Sequence, residues 1–284
     1  MKLLRYGLEG KEKPGILAAD GKIHDLSSVI SDISPAMLAA EKLAELKQID
    51  HAKLPIVPGN PRIGAPIANI PKLVCIGLNY TDHAQETGRP APKEPILFMK
   101  AITAICGPDD DIIIPKASQK TDWEVELGIV IGTKAQYVSE SDAIKYIAGY
   151  CLANDVSERE FQTERGGQWS KGKSADTFAP LGPWLVTKDE MPDPQALDLF
   201  CEVNGERVQN GKTANMIFPV KQLVSYISQF MTLMPGDVIL TGTPAGVGMG
   251  FKPPRFLKPG DEVRLGITGL GEQKHQVKAY GSAV

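Results

Sequence analysis

The chain has 284 residues, of which 42% are hydrophobic and 23% charged, a composition that suits one large globular domain or a large and a small one. A formal net charge of −3, without a lysine or arginine cluster, argues against a nucleic-acid partner. No stretch approaches the roughly 18 apolar residues that a membrane-spanning helix needs, so no membrane partner is expected. The 4 cysteines are widely spaced without a C-x-x-C pair, which predicts reduced thiols in a cytoplasmic protein.

Short strands and one helix are predicted near the N-terminus. An Asp-Gly pair between the segments 15–19 and 22–26 is typical of a tight hairpin turn. Ser34, followed by Pro35, predicts the start of a helix that continues through residue 46.

The rest of the chain is predicted to be rich in strands. Five prolines in residues 51–71 indicate a connector, so we expect a small α+β unit with its connector over 1–70 and a larger domain over 71–284. Glycine and proline separate the candidate strands 73–77, 96–99, 111–114, 123–131, 149–155, 184–187, 199–204, 237–241 and 262–267. Helices are expected only near 139–146, 157–164 and 220–231. Without regular strand–helix alternation, a mostly β, α+β fold with a mixed sheet curled into a barrel or roll fits best.

One predicted strand, 123–131, carries two carboxylates. Glu124 and Glu126 are two residues apart and therefore point to the same face, and Gly128 is expected to leave the space beside them empty. The functional interpretation is a site for a hard divalent cation, which prefers oxygen ligands. The alternative is a half-exposed strand whose acids face water, and these residues alone favour that alternative.

Two further segments place polar residues directly after apolar strands. If a helix begins near residue 82, His83 and Glu86 are i, i+3 neighbours, a pairing that suits a general base but more often forms a surface pair. Asp155 ends the strand 149–155 and could cap the following helix or be a third oxygen ligand. Arg159 and Gln162 could face the same pocket.

Three other features are weaker indications. The glycine-rich segment 241–250 lacks the helix start of a nucleotide-binding loop, although its backbone could approach a ligand and Thr243 offers a hydroxyl. A plain tight connection is an equal alternative. Lys173 lies in a Gly/Ser loop and is expected by default to be solvated. His275 is expected at the surface.

The motifs of the chain, taken in order, resemble those of the fumarylacetoacetate hydrolase superfamily: Asp-x-Glu-x-Glu-Leu-x-x-Val-Ile-Gly, Asn-Asp-x-Ser-x-Arg-x-x-Gln, Gly-Lys-Ser and Thr-Gly-Thr-Pro-x-Gly-Val-Gly. The upstream Asn-Tyr-x-x-His-x-x-Glu and Leu-Phe-x-Lys segments resemble its bacterial members that hydrolyse acylpyruvates and 2,4-diketo acids. The resemblance covers about residues 72–280 and implies a mixed β-roll with a small N-terminal α+β domain, in a homodimer.

The same resemblance implies roles for particular residues. It implies three carboxylate ligands for Mg²⁺ or Mn²⁺: Glu124, Glu126 and Asp155. It implies a water-activating dyad on a segment that orders over the bound substrate: His83 and Glu86. It implies a catalytic lysine, Lys173, that contacts the developing oxyanion. It also implies three further residues that contact the substrate: Arg159, Gln162 and Thr243. The branch that cleaves fumarylacetoacetate itself adds a fourth acidic ligand, for which Asp82 is the nearest candidate here.

The implied reaction is the metal-dependent hydrolysis of a carbon–carbon bond in a 2,4-dioxo acid, giving a carboxylic acid and pyruvate or a related 2-oxo acid. The leading specific substrate is a diketo sugar acid such as 2,4-diketo-3-deoxy-L-rhamnonate. Oxaloacetate decarboxylation and hydration or isomerisation of a 2-oxo acid use the same ligand set and stay open. Outside the enzymes, a metal-binding module without turnover is a further alternative.

Overall fold

A computed structural model describes residues 1–88 and 90–282 of the protein. The strands in these residues are, in chain order, β1 (Lys2–Tyr6), β2 (Lys13–Leu17), β3 (Ile23–Asp25), β4 (Ile63–Gly64), β5 (Leu73–Gly77), β6 (Ile96–Lys100), β7 (Ile105–Cys106), β8 (Ile112–Ile114), β9 (Thr121–Asp122), β10 (Val125–Ile131), β11 (Ile147–Asn154), β12 (Ser157–Glu158), β13 (Ala179–Pro180), β14 (Leu185–Thr187), β15 (Asp198–Val203), β16 (Glu206–Lys212), β17 (Val238–Leu240), β18 (Glu262–Ile267) and β19 (Gly271–Ala279). The α-helices are short: α1 (Ala40–Lys47), α2 (Thr81–Glu86), α3 (Ser170–Lys173) and α4 (Val220–Ile227).

Two mixed sheets carry the fold. The larger has the order β3-β2-β1-β14-β11-β10-β17-β5-β6, with β4 added beside β1, and its β17–β5 pair is parallel. The second has the order β16-β15-β18-β19-β8, with a parallel β19–β8 pair. Buried side chains of both sheets form one core, as Leu152 of β11 and Val263 of β18 show. The prediction of a mostly β fold with mixed sheets and few helices is confirmed.

The central strands β10 and β11 are buried along their whole length. Their antiparallel register places Gly128 opposite Cys151. A methyl group on Gly128 would lie 2.9 Å from Cys151 Sγ, so the space that we expected to be empty is filled by the neighbouring strand. The glycine is therefore explained by close strand packing and does not make room for a ligand.

The N-terminal strands continue the larger sheet. β1 pairs with β14 through Leu3 and Leu185, and with the hairpin strand β2 on its other side. The two predicted units thus share one sheet, and their division at residue 70 stays a prediction. The first predicted helix was wrong in part: Ala39 is extended and separates a 3₁₀ turn, Pro35–Leu38, from α1, and Ser34 makes no side-chain cap.

The helical predictions for the larger domain were too long. Residues 139–146 contain only a 3₁₀ turn, Ala143–Tyr146, and 157–164 splits into β12 and a π-helix, Glu160–Glu164. α4 ends four residues before the predicted 231. Within the described ranges, no helix has the length and apolar character that crossing a membrane requires.

His275 was expected at the surface and is fully buried. It lies on the inward face of β19 together with Gln273 and Val277, because alternate residues of a strand share a face. Its Nδ1 lies 2.7 Å from the carbonyl oxygen of Asp110, and its Nε2 lies 3.1 Å from Gln273 Oε1.

Candidate active site

Three carboxylates meet where β10 begins and β11 ends. The antiparallel register places Val125 beside Asn154, so Glu124 and Asp155 extend from adjacent strand ends, and the Asp155 N–H donates to the Glu124 carbonyl at 2.9 Å. One oxygen from each of Glu124, Glu126 and Asp155 lies within 4.8 Å of the others, and all three side chains are buried. We call these three residues the carboxylate cradle. Asp82 is not a member of this cluster among the described residues.

Two lysines contact the cradle at Glu124 and Asp155. Lys173 Nζ lies 2.8 Å from Glu124 Oε2 and 2.7 Å from Asp155 Oδ2. Lys100 Nζ lies 2.5 Å from the other Asp155 oxygen, Oδ1. Glu126 instead accepts a hydrogen bond of 2.7 Å from the Gly242 N–H.

The pKa shifts in the cradle follow this distribution. Burial by itself would raise the pKa of Glu124, but the charges of Lys173 and Arg159 hold it below its ordinary value. Burial raises the pKa of Glu126 well above its ordinary value, and the charges of Asp155 and Glu124 raise it further. Three buried carboxylates whose oxygens lie this close together fit a hard divalent cation such as Mg²⁺ or Mn²⁺.

His83 and Glu86 form a pair on α2 in which the imidazole is buried and the carboxylate is half-buried. His83 is 7% exposed, and its Nδ1 lies 3.0 Å from Glu86 Oε2. The second Glu86 oxygen accepts a hydrogen bond of 2.8 Å from the Gly246 N–H. A bond at Nδ1 leaves Nε2 of the imidazole as the available acceptor, which is the arrangement of an oriented general base.

Arg159 connects the cradle to its surroundings. Its Nη2 lies 2.7 Å from Glu124 Oε1, its Nη1 donates to Gln162 Oε1 at 3.0 Å, and its Nε donates to Asp122 Oδ2 at 2.8 Å. Gln162 lies in the π-helix that directly follows Arg159.

Lys173 is 2% exposed, so the default expectation of a solvated lysine was wrong. It ends α3, which packs closely on the chain near Glu158 and Gln162: a methyl group on Gly172 would lie 2.4 Å from the Glu158 carbonyl oxygen. This close approach carries the lysine into the cleft. Its Nζ lies 5.1 Å from the centre of the Phe98 ring.

The Thr243 hydroxyl is held by protein partners. It donates to the Val125 carbonyl at 2.9 Å and accepts from Gln209 Nε2 at 2.8 Å. Gln209 Oε1 also accepts from the Val125 N–H at 3.0 Å, so this glutamine ties β16, β10 and the segment after β17 together.

One cleft, which encloses about 490 Å³ including its open mouth, brings most of the candidate residues together. Seven of the predicted site residues line it: His83, Glu124, Glu126, Arg159, Gln162, Lys173 and Thr243. Glu86 and Asp155 are held against these through His83 and Lys173. Phe98, Trp169 and Met249 add an apolar wall.

Sequence reasoning missed three supporting residues: Lys100, Asp122 and Gln209. Lys100 could have been noticed as a charge at the end of an apolar strand, and Asp122 as the acid two residues before Glu124. Gln209 gave no signal, because its role depends on a hairpin that is distant along the chain.

Comparisons with known proteins identify the family of the chain. The family model described as fumarylacetoacetate (FAA) hydrolase C-terminal matches residues 72–278. A protein of Burkholderia ambifaria, whose name places it provisionally among the hydrolases, is 62% identical over 274 residues, covering 96% of this chain and 97% of that protein.

Solved structures cover nearly the whole chain. The fumarylacetoacetate hydrolase of Exiguobacterium antarcticum is 36% identical with a TM-score of 0.87, covering 98% of this chain and 99% of that one. A 5-carboxymethyl-2-hydroxymuconate delta-isomerase from Mycobacterium smegmatis is 33% identical with a TM-score of 0.77, covering 99% and 100%. The maleylpyruvate hydrolase of Sphingobium sp. SYK-6, solved with manganese(II) and pyruvate, is 26% identical with a TM-score of 0.82, covering 98% and 99%. The chain therefore belongs to the fumarylacetoacetate hydrolase family.

Proposed function

We propose that the protein is a hydrolase, dependent on Mg²⁺ or Mn²⁺, that cleaves the C3–C4 bond of a 2,4-dioxo acid. The products are a carboxylic acid and pyruvate or a related 2-oxo acid, and the leading substrate class is the 2,4-diketo-3-deoxy sugar acids. One observation carries the proposal: two carboxylates of the buried cradle, Glu124 and Glu126, line the same cleft as His83, which is paired with Glu86. The maleylpyruvate hydrolase with manganese(II) and pyruvate is a supporting relative.

Glu124, Glu126 and Asp155 would hold the cation. When bound, it supplies Lewis-acid polarisation of the substrate's keto and carboxylate oxygens. Arg159 stays on Glu124 and Lys100 on Asp155 Oδ1, so both carboxylates keep a fixed orientation. Outer contacts of this kind orient metal-binding carboxylates.

His83 acts as the general base. Glu86 accepts the Nδ1 proton, so that Nε2 takes a proton from a water molecule whose oxygen attacks C4. Lys173 and Gln162 donate hydrogen bonds to the oxyanion that forms at C4. Burial would lower the pKa of Lys173, but the charges of Asp155 and Glu124 raise it above its ordinary value. The C3–C4 electron pair leaves with C3 as the enolate of the 2-oxo acid, which then takes up a proton at C3.

Isomerisation of an unsaturated 2-oxo acid is the second candidate, because the isomerase from Mycobacterium smegmatis matches the chain over its whole length. That reaction moves a proton and needs no attacking water.

A substrate panel tests the proposal. Acetylpyruvate, 2,4-diketo-3-deoxy-L-rhamnonate, oxaloacetate and 5-carboxymethyl-2-hydroxymuconate are each incubated with Mg²⁺, Mn²⁺ or EDTA, and the products are measured by chromatography. We expect pyruvate and an acid from one of the first two, lost with EDTA. Faster release of carbon dioxide from oxaloacetate, or isomerisation without cleavage, would overturn the hydrolase assignment.

Variants of the carboxylate cradle and of the His83–Glu86 pair serve as controls in the same assay. E124A is expected to lose both Mn²⁺ binding and turnover. H83A is expected to keep Mn²⁺ binding and lose about 10²-fold or more of the cleavage rate, the usual scale of general acid–base catalysis. If H83A cleaved at the full rate, the assigned base would be wrong.

A further inference from the structure

The glycine-rich segment 246–250 lies against the His83–Glu86 pair. Gly246 N–H donates to Glu86 Oε1 at 2.8 Å, while Glu86 Oε2 lies 3.0 Å from His83 Nδ1. One carboxylate thus joins the segment to the imidazole. Glu86 cannot rotate without losing one of these two contacts.

Gly250 has a bare face that Glu86 occupies. A methyl group on Gly250 would lie 2.4 Å from Glu86 Cδ, 2.6 Å from Oε1 and 2.7 Å from Cγ, and these are its three nearest atoms. Gly250 is not among the glycines with a left-handed φ, so its backbone conformation accepts alanine. A side chain at position 250 is therefore opposed by Glu86 in particular.

The middle of the segment is fixed to the other side of the site. Asp122, which is fully buried, accepts hydrogen bonds from the N–H groups of Gly248, at 2.6 Å, and Met249, at 3.0 Å. The same carboxylate accepts from Arg159 Nε, and Arg159 in turn contacts Glu124. The segment is thereby held at a set position relative to the carboxylate cradle.

We propose that residues 246–250 form a seat for the Glu86 carboxylate and thereby position His83 to take a proton from the attacking water. The Gly246 N–H and the bare face of Gly250 make the seat, and Asp122 fixes it to the cradle. This inference rests on the proposed function of His83 and adds positioning residues from a loop that does not supply the base. Gly246 and Gly250 act through Glu86 and are not catalytic residues.

The test is Gly250→Ala, assayed with Mn²⁺ and the panel substrate of highest kcat/KM. A displaced Glu86 should lower kcat at least tenfold, while KM and the Mn²⁺ dissociation constant, measured by calorimetry, change less than about twofold. The decisive comparison is the double variant E86A/G250A. Because alanine at 86 removes the group that the new methyl displaces, G250A should cost nothing further in that background, which is strong non-additivity between contacting residues.

Gly64→Ala is the matched control. Gly64 lies in β4 outside the cleft, also lacks a left-handed φ, and also faces a glutamate, since its methyl group would lie 2.9 Å from Glu12 Oε1. G64A should keep kcat within about twofold of the parent protein.

The possible outcomes separate the two proposals. Full activity of both H83A and E86A would remove the proposed base, whereas loss in both with a normal G250A would overturn the seat alone. If G250A lowered kcat by the same factor in the parent protein and in E86A, that result would also overturn the seat. If G250A did not fold but E86A/G250A did, the result would support the seat, because removal of Glu86 relieves the clash. If neither variant folded, the methyl group would clash with a residue other than Glu86, and the seat would be refuted.

Discussion

Lys100 is a fully buried lysine on the side of Asp155 away from Lys173. Its Nζ contacts Asp155 Oδ1 and donates to the Val156 carbonyl at 3.0 Å. Burial lowers the pKa of Lys100, and the charge of Asp155 opposes that effect. The Lys100 side chain thus pairs with one oxygen of a buried carboxylate.

Lys100→Met leaves Asp155 buried without its partner at Oδ1. Breaking a buried ion pair on one side typically costs about 3–5 kcal/mol, so we expect a loss of that size in the free energy of unfolding, measured by urea titration in EDTA. Lys47→Met, which removes the exposed pair with Asp189, is the control and should cost clearly less. Equal losses in the two variants would contradict the role given to burial.

At the scale of residues, predictions succeeded where the two-residue repeat of a strand decided which face a side chain occupies. The spacing of Glu124 and Glu126 predicts a shared face, and both belong to one cluster in the structure. The burial of Lys173 could not be predicted, because it depends on how closely α3 packs on residues distant in sequence. The chemical roles of these residues stay predictions until turnover is measured.

At the scale of elements, apolar runs punctuated by glycine and proline were the reliable signal. The strands Leu73–Gly77 and Glu262–Ile267 begin and end at the predicted residues. Helices were overestimated, because segments such as 139–146 are helical in composition but are held as single turns by their neighbours. Similarly, β19 lies between β8 and β18 and buries alternate side chains, a placement that the local sequence does not reveal.

The buried His275 on β19 predicts a dependence of stability on pH. Burial lowers its pKa from 6.5 to about 4, so below pH 6.5 the unfolded chain binds a proton that the folded chain does not. This difference lowers the free energy of unfolding as the pH falls from 6.5 to about 4. When the pH falls from 7.5 to 5, the free energy of unfolding of His275→Gln should decrease by about 2 kcal/mol less than that of the parent protein, as measured by urea titration. The same loss in both proteins would show that His275 does not contribute.

At the scale of the whole molecule, strands from the first and the second half of the chain lie in the same larger sheet. In the described part of the chain, the larger sheet continues beyond β14 through β1, which in turn carries β2, β3 and β4. Leu3, Ile16 and Leu38 belong to the same buried cluster as the strands around the cradle.

A chain of residues 71–284 alone would leave the β14 edge and part of this core exposed. Exposed strand edges promote association, so we expect the fragment to aggregate or to unfold without cooperativity, as seen by size-exclusion chromatography and thermal scanning. A soluble monomer with a cooperative transition would instead establish 71–284 as an independent domain.

The β1–β14 pairing also affects the order of events during synthesis. β1 leaves the ribosome early, and its partner β14 follows only after β5, β10 and β11 have been made. Arg5 and Tyr6 of β1 can pair early with β4, whereas the edge at Lys2 and Leu3 stays unpaired until β14 arrives. Such long-range pairing forms slowly. Until β14 has left the ribosome, that edge is a site where another strand or a chaperone can bind.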